Sequence, residues 1–241
     1  VAYAGPYYST LDTTRFKPQI SYDDYLKGNI YKYTEANGSG NVVLWGYNNQ
    51  YPIAKVANAS IGGYTPSEEV AYSSFESSEK GNWIYSGNPV TDLTSPSGKR
   101  VYSLANGSLS KIKPTSLPAK RYLISYWYKQ GSTVNISGGT LGGVTIKNTK
   151  AGWSLAEREI SAITGSIVVS GTGSIDELRF HPYDAQMTTY TYEPLLGLSG
   201  SIDPKGNLQY YEYDDAQRLK NVRDQKGNIV KSYRYNLGTS N

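Results

Sequence analysis

The side chains that could carry chemistry in this sequence are mostly carboxylates. Paired carboxylates suit general acid and base catalysis, and adjacent pairs occur as Asp23-Asp24, Glu68-Glu69, Asp176-Glu177 and Asp214-Asp215. Neighbours on a strand point to opposite faces, however, so such pairs do not converge on one substrate. There is no cysteine, and His181 is the only histidine, which excludes thiol chemistry and two-histidine metal sites. These features favour a non-catalytic protein.

A second candidate is the aromatic stretch 122–129, in which strand alternation separates an apolar face from a mixed face. The apolar face holds Ile124, Tyr126 and Tyr128, and the mixed face holds Ser125, Trp127 and Lys129. An indole ring between polar side chains can stack on a sugar ring and bind its hydroxyl groups. Trp83 and Tyr85 are alternative stacking residues.

The elements that must position these residues are strands. The chain of 241 residues contains 24 Tyr, 25 Gly and 11 Pro, a mixture typical of short strands separated by turns, so we predict an all-β fold. Ser154 to Glu157 also fits a helix-capping pattern that could open a helix through Ile163. Because β-rich sequence flanks this segment on both sides, a strand is favoured there.

The charge pattern indicates neither a nucleic-acid surface nor a membrane segment. The chain has 24 basic and 20 acidic residues scattered along its length, which gives a net charge of +4. No basic run is long enough to form a nucleic-acid patch, and no apolar run is long enough to span a bilayer. We therefore expect no nucleic-acid partner and no membrane insertion.

A short motif recurs at both ends of the chain: Gly-Asn, then Tyr-x-Tyr a few residues later. The copies are Gly28-Asn29 with Tyr31-Lys32-Tyr33, Gly206-Asn207 with Tyr211-Glu212-Tyr213, and Gly227-Asn228 with Tyr233-Arg234-Tyr235. Gly-Asn is predicted to supply the positive φ angles of a hairpin turn, and Tyr-x-Tyr places two rings on one face of the next strand. Such a hairpin needs neighbours to be stable.

This motif resembles the RHS or YD repeat of large bacterial secreted and cell-surface proteins, and the resemblance covers residues 14–60 and 185–241. The C-terminal part that carries it is Tyr213-Asp214, Arg218-Leu219, Val222, Asp224, Gly227-Asn228 and Tyr233-Arg234-Tyr235. The runs 44–55 and 186–192 are similar to the Bacteroidetes versions of these proteins. Gln217 stands where the repeat usually has Gly, and Asn48 and Asn236 stand where it has Asp. The resemblance implies a secreted or cell-surface location, with the targeting signal outside this sequence.

The middle of the chain resembles a different family, the galactose-binding-like jelly roll of carbohydrate-binding modules. The features that carry the resemblance are Phe75-Glu76, Ser97-Gly98-Lys99, the run 122–129 and Ile175-Asp176-Glu177, in that order. We therefore predict three regions: hairpins at 1–66, an inserted jelly-roll β-sandwich at 67–184, and hairpins at 185–241. The hairpins on the two sides of the insertion are expected to pair with each other, because a tolerated insertion returns the chain to its starting point.

The jelly-roll resemblance implies roles for particular residues. It places Ile124, Tyr126 and Tyr128 in the core, so that Trp127 points outward as a sugar platform with Ser125 and Lys129 beside it. Jelly rolls of this kind often hold a structural calcium ion, and the matching ligands are Glu76 and Asp176. The alternative for these two carboxylates is ordinary hydrogen bonding at a sheet edge. Calcium prefers carboxylate and carbonyl oxygens, which this composition can supply.

Two main functions follow from these expectations. The first is a non-catalytic, lectin-like module that binds polysaccharide for a surface protein. The second is a structural insertion that plugs or decorates a repeat shell in a polymorphic toxin or surface scaffold and contacts the remainder of the parent chain. A third class, adhesion to another protein through the tyrosine-rich surface, shares the same composition.

Overall fold

The computed structural model describes residues 19–59, 69–114 and 120–236. Its elements are strands and one 3-10 turn at Leu104–Asn106, so the protein is all-β as predicted. The first strands are β1 Ile20–Leu26, β2 Asn29–Glu35, β3 Gly40–Gly46 and β4 Tyr51–Ala57. The middle strands are β5 Ala71–Ser73, β6 Val90–Thr91, β7 Arg100–Ser103, β8 Leu109–Lys111, β9 Tyr122–Lys129, β10 Thr133–Ser137, β11 Thr140–Leu141, β12 Thr145–Lys150, β13 Trp153–Ser161, β14 Ile167–Thr172 and β15 Ser174–Pro182. The last strands are β16 Gln186–Glu193, β17 Gly197–Ile202, β18 Leu208–Tyr213, β19 Leu219–Asp224 and β20 Ile229–Ser232.

The two ends of the chain form one nine-stranded antiparallel sheet in the order β1-β2-β3-β4-β16-β17-β18-β19-β20. Strand β16 pairs directly with β4, with Thr188 opposite Lys55 and Met187 opposite Val56. The strands before and after the middle region therefore pair with each other, as expected. The predicted boundary at residues 66 and 67 lies outside the described residues.

The middle strands form two antiparallel sheets that pack as a sandwich. One sheet has the order β11-β13-β9-β15-β7-β6, with β12 added on β13 and β5 on β15, and the other has the order β10-β14-β8. Alternate residues of the facing strands enclose a core that includes Ile124, Tyr126, Ile160 and Val169. The segment 153–161 is a strand and not a helix, because it pairs along its length with β9.

Three hairpin turns of the nine-stranded sheet, which begin at Asp203, Asp214 and Asp224, share one five-residue geometry. In the turns that begin at Asp203 and Asp224, the Asp Oδ1 accepts two backbone N–H bonds of 2.8–2.9 Å. The fourth residue is Gly206 or Gly227, each with φ of +86°. The following Asn keeps a negative φ and donates its side-chain amide to the Asp, which corrects the prediction that both residues of Gly-Asn take positive φ.

A third turn of this kind begins at Asp214. Its Oδ1 accepts N–H bonds from Ala216 and Arg218 at 3.0 and 2.9 Å. Gln217 occupies the position of the glycine, with φ of +60°. The departure from the repeat pattern at this residue therefore leaves the turn geometry intact. It does so at some cost in stability, because a left-handed backbone is strained at a residue that has a Cβ atom.

Candidate functional site at the junction of the sandwich and the nine-stranded sheet

Trp127 lies at the junction between the two parts of the molecule. The alternation prediction holds, because Trp127 faces away from the sandwich core that contains Ile124 and Tyr126. The prediction of an exposed sugar platform is wrong, because its exposed fraction is 0%. Ile202 and Leu208, at the facing ends of β17 and β18, belong to the same buried cluster, so apolar side chains of both parts of the molecule enclose the ring.

The polar neighbours of Trp127 do not form a sugar-binding rim either. Ser125 is buried, with 7% exposure. Lys129 lies at the edge of this face, where its Nζ is 2.6 Å from Asp92 Oδ2 and 5.8 Å from the ring centroid of Trp153. The side chain that was expected to bind sugar hydroxyls is therefore held in an ion pair within the sandwich.

The alternative stacking residues Trp83 and Tyr85 are also buried, so the prediction that they form a surface platform is wrong. Both belong to the sandwich core. Trp83 Nε1 donates a 3.2 Å hydrogen bond to the carbonyl oxygen of Leu178, and the ring of Tyr85 packs edge-on against Phe75 and Tyr102. These aromatic rings fill the interior of the sandwich. The sequence around residue 83 does not distinguish a buried aromatic side chain from an exposed one on a loop.

The carboxylates predicted to hold calcium bind backbone amides. Glu76 Oε1 accepts N–H bonds from Lys99 and Arg100 at 2.7 and 2.5 Å. Asp176 Oδ2 accepts the N–H of Ser97 at 3.3 Å, and its Oδ1 accepts that of its neighbour at 2.7 Å. Among the described residues, no group of three or more His, Cys, Asp or Glu side chains is arranged to hold a metal ion.

Burial shapes the electrostatics of these carboxylates. The pKa of Asp176 is raised well above its usual range, first by burial and then by the nearby charges of Glu177 and Glu76. The pKa of Glu76 is also raised, chiefly by burial, although the N–H bonds from Arg100 and Lys99 oppose the shift. A positive charge near this cluster would therefore be favourable.

A buried ion pair beside this cluster ties the two parts of the molecule together. The carboxylate of Glu177 accepts hydrogen bonds from Tyr72 at 2.8 Å, Ser97 at 2.5 Å and Thr189 at 2.9 Å. It also lies 3.3 Å from Arg179 Nη2, which donates to Thr189 Oγ1 at 2.6 Å. Thr189 belongs to β16 of the nine-stranded sheet, and the other residues belong to the sandwich.

Sequence reasoning noted the pair Asp176-Glu177 but not this network. Glu177 and Arg179 are two positions apart, a spacing that indicates one strand face. That signal is too common to select an ion pair, and Glu177 lies in a bulge with φ of +53°. Tyr72 comes from a strand 105 positions away, and Thr189 comes from β16, the next strand but in the other sheet, so a local pattern could not have identified them as partners.

An open cleft lies beside the network, with a volume of about 350 Å³. One wall is aromatic: Tyr47 and Tyr192 pack edge to face with centroids 5.4 Å apart, and Tyr51 stacks on Tyr192 at 4.7 Å. The other wall is charged and includes Glu76, Arg100 and the ion pair between Lys99 Nζ and Glu193 Oε2 at 2.8 Å. The residues that line the cleft come from both the nine-stranded sheet and the sandwich.

The aromatic wall is held in place by backbone hydrogen bonds. Tyr47 Oη accepts the N–H of Tyr192 at 3.0 Å, and Tyr192 Oη donates to the carbonyl oxygen of Pro52 at 2.9 Å. Burial raises the pKa of Tyr192 to about 12, so the hydroxyl remains protonated at neutral pH. A fixed aromatic surface beside charged groups can bind a small polar ligand that has an apolar face.

Comparison with protein-family models and with curated proteins finds no match for this chain. Among the residues that the structure describes, no helix has the length and apolar character that crossing a membrane requires. The fold and the junction thus define an all-β protein with antiparallel sheets, consistent with a β-sandwich joined to an extended sheet.

Proposed function

We propose that the sandwich is a non-catalytic structural insertion that braces the repeat sheet of a secreted or cell-surface YD-repeat protein. The observation that supports this role is the burial of Trp127 beneath Ile202 and Leu208. A free lectin module would present this sheet face to solvent, whereas here it is an internal interface. The parent chain is then the main partner of the module.

The composition of the junction supports the same role. Its centre is apolar, with Val101, Trp153 and Leu155 beside Trp127. Its periphery is polar: Asn148 donates to the carbonyl oxygen of Gly206 at 3.0 Å. An apolar centre with a polar rim is the usual organisation of a stable protein interface. Removing this contact would expose large apolar side chains of the sandwich to water.

Amide hydrogen exchange tests the bracing role. Leu208→Ala on β18 removes part of the cover over Trp127, so exchange in β9 and β13 of the sandwich should accelerate. Gln209→Ala, at the exposed neighbouring position, is the matched control and should leave exchange in β9 and β13 unchanged. If Leu208→Ala accelerates exchange within β17 and β18 alone, the sheet and the sandwich do not stabilise each other through this contact and the proposal fails.

A second candidate function is glycan binding in the cleft formed by Tyr47, Tyr192, Lys99 and Glu193. The observation that favours it is the combination of a fixed aromatic wall with charged groups, because a pyranose ring can stack on the aromatic wall while its hydroxyl groups bind the charged groups. The cleft volume of about 350 Å³ falls within the range of roughly 300–1,000 Å³ that is usual for small-ligand sites. The polysaccharide would then be recognised by both parts of the molecule together, and not by the sandwich alone.

A pull-down on insoluble polysaccharides, with a glycan array, tests this second function. The substitutions Lys99→Ala and Glu193→Ala alter exposed side chains and should reduce retention without loss of folding. Lys147→Ala, which breaks a surface pair with Glu157 elsewhere on the sandwich, is the control. If the unmodified protein is not retained on any polysaccharide, glycan binding is excluded as a function of the cleft. That result would not affect the proposed bracing role.

A further inference from the structure

The two outer strands of the nine-stranded sheet, β1 and β20, both carry exposed apolar side chains. Every residue of β1 is exposed, and no described residue pairs with its outer edge. Ile20 and Tyr25 are 45% and 55% exposed. At the opposite end, β20 is also exposed throughout, with Ile229 and Val230 at 52% and 50%. Exposed apolar edge strands are templates for pairing with another strand.

The charges of the two edges are opposite. Strand β1 contains Asp23 and Asp24 and no basic residue. The segment 229–236, which includes β20, contains Lys231 and Arg234 and no acidic residue. An edge of one kind therefore attracts an edge of the other kind, whereas two like edges repel each other. Symmetric pairing of β1 with β1, or of β20 with β20, is disfavoured.

We propose that a second copy of this chain docks head to tail, with its β1 edge on the β20 edge of the first copy. The sheet has nine antiparallel strands, so β1 and β20 run in the same direction. A copy translated across the sheet therefore presents β1 parallel to β20 with the same face inward. Nine strands at about 4.8 Å place successive copies about 43 Å apart, which separates their sandwiches.

This contact is heterologous, because the surface used on one copy differs from the surface used on the next. Heterologous contacts leave a free edge on each end of the assembly, so they produce oligomers that grow with concentration unless a ring closes. The attraction between Asp23 and Asp24 on one copy and Lys231 and Arg234 on the other acts across solvent-exposed edges. It should weaken as salt screens these charges.

Sedimentation velocity on the full chain at low salt tests the proposal. The unmodified protein should form species larger than a dimer that grow with concentration, and about tenfold more protein should be needed to form them in 0.5 M salt. Asp23→Lys with Asp24→Lys makes both edges basic, and Lys231→Glu with Arg234→Glu makes both edges acidic. Each double variant should be monomeric, and an equimolar mixture of the two should associate again.

Circular dichroism and the thermal midpoint of each double variant establish that the exposed substitutions leave the fold intact. If a double variant misfolds, the neutral variants Asp24→Asn and Lys231→Gln replace it and should each weaken association. An unmodified protein that stays monomeric at low salt and high concentration would overturn the proposal, since another segment then covers the edges. Charge variants that associate like the unmodified protein, or a mixture that stays monomeric, would overturn it as well.

Discussion

The hydroxyl of Tyr210 on β18 donates a 2.7 Å hydrogen bond to the carbonyl oxygen of Pro96 in the sandwich. Burial raises the pKa of this tyrosine far above its usual value, so the hydroxyl keeps its proton across the physiological range. The bond joins residues that are 114 positions apart in sequence. It fixes the sandwich loop 95–99, which also supplies N–H donors to Asp176 and Glu76.

Tyr210→Phe should therefore lower the free energy of unfolding by about 1 kcal/mol, because the carbonyl oxygen of Pro96 loses its donor and Lys150 Nζ loses its acceptor while the ring packing is kept. Urea denaturation followed by tryptophan fluorescence measures this change. Tyr211→Phe is the control, since its hydroxyl hydrogen-bonds the side chains of Ser201 and Gln209, which lie on the nine-stranded sheet and not on the sandwich. Equal losses for the two variants would contradict a specific role for Tyr210.

The two equivalent turn glycines provide a second prediction. Gly227 and Gly206 share a φ of +86°, but an added Cβ meets no atom within 4 Å at Gly227, whereas at Gly206 it lies 2.4 Å from Leu155 Cδ2 of the sandwich. Gly227→Ala should cost about 1 kcal/mol from the backbone alone. Gly206→Ala should cost more, because Leu155 must also move. Thermal unfolding measures both variants. Equal losses of stability for Gly206→Ala and Gly227→Ala would contradict the packing of the Gly206 turn against Leu155.

His181 makes the stability of the fold depend on pH. Burial lowers the pKa of this histidine from 6.5 to about 4. The unfolded chain takes up the proton as the pH falls through 6.5, whereas the folded protein resists it until the pH nears 4. The stability contribution of neutral His181 is thus complete above pH 6.5 and decreases between pH 6.5 and 4, by up to about 3 kcal/mol.

Urea denaturation from pH 7 to pH 4 checks this prediction with His181→Gln as the reference. The variant should lose less stability across that range than the unmodified protein. Asp176 acts in the opposite direction, because its raised pKa makes the folded state gain relative stability as the pH falls. Since both proteins contain Asp176, the difference between their curves isolates His181, and parallel curves would contradict the assignment.

The predicted calcium ion has a direct test. An ion held by Glu76 and Asp176 would raise the midpoint of thermal unfolding when calcium replaces a chelator, since a ligand that binds the folded state stabilises it. Glu76→Gln should abolish that rise. Identical midpoints with calcium and with chelator for the unmodified protein would contradict a calcium site and support the role of the two carboxylates as acceptors for loop amides.

Local patterns predicted much of the fold. Alternation in 122–129 separated the face of Tyr126 from that of Trp127, because side-chain direction depends on the strand backbone alone. The turn at Gly227 was predictable because an L residue at positive φ is strained.

What covers Trp127 was not predictable. Ile202 and Leu208 reach it from strands about 80 positions further along, and an apolar ring facing outward looks the same in sequence whether it meets sugar, solvent or another strand. The candidate cleft was missed for the same reason, since Tyr47 and Lys99 belong to different parts of the molecule.

A double-mutant cycle between Leu155 of the sandwich and Leu208 of β18 tests the bracing role most directly. Both side chains belong to the buried cluster around Trp127. Each change to alanine should cost about 2–5 kcal/mol of unfolding free energy. If the sandwich and the sheet form one cooperative unit, the double variant should depart from the sum of the single losses by about 0.5–3 kcal/mol. Additive losses, with separate unfolding transitions for the two parts, would contradict the account.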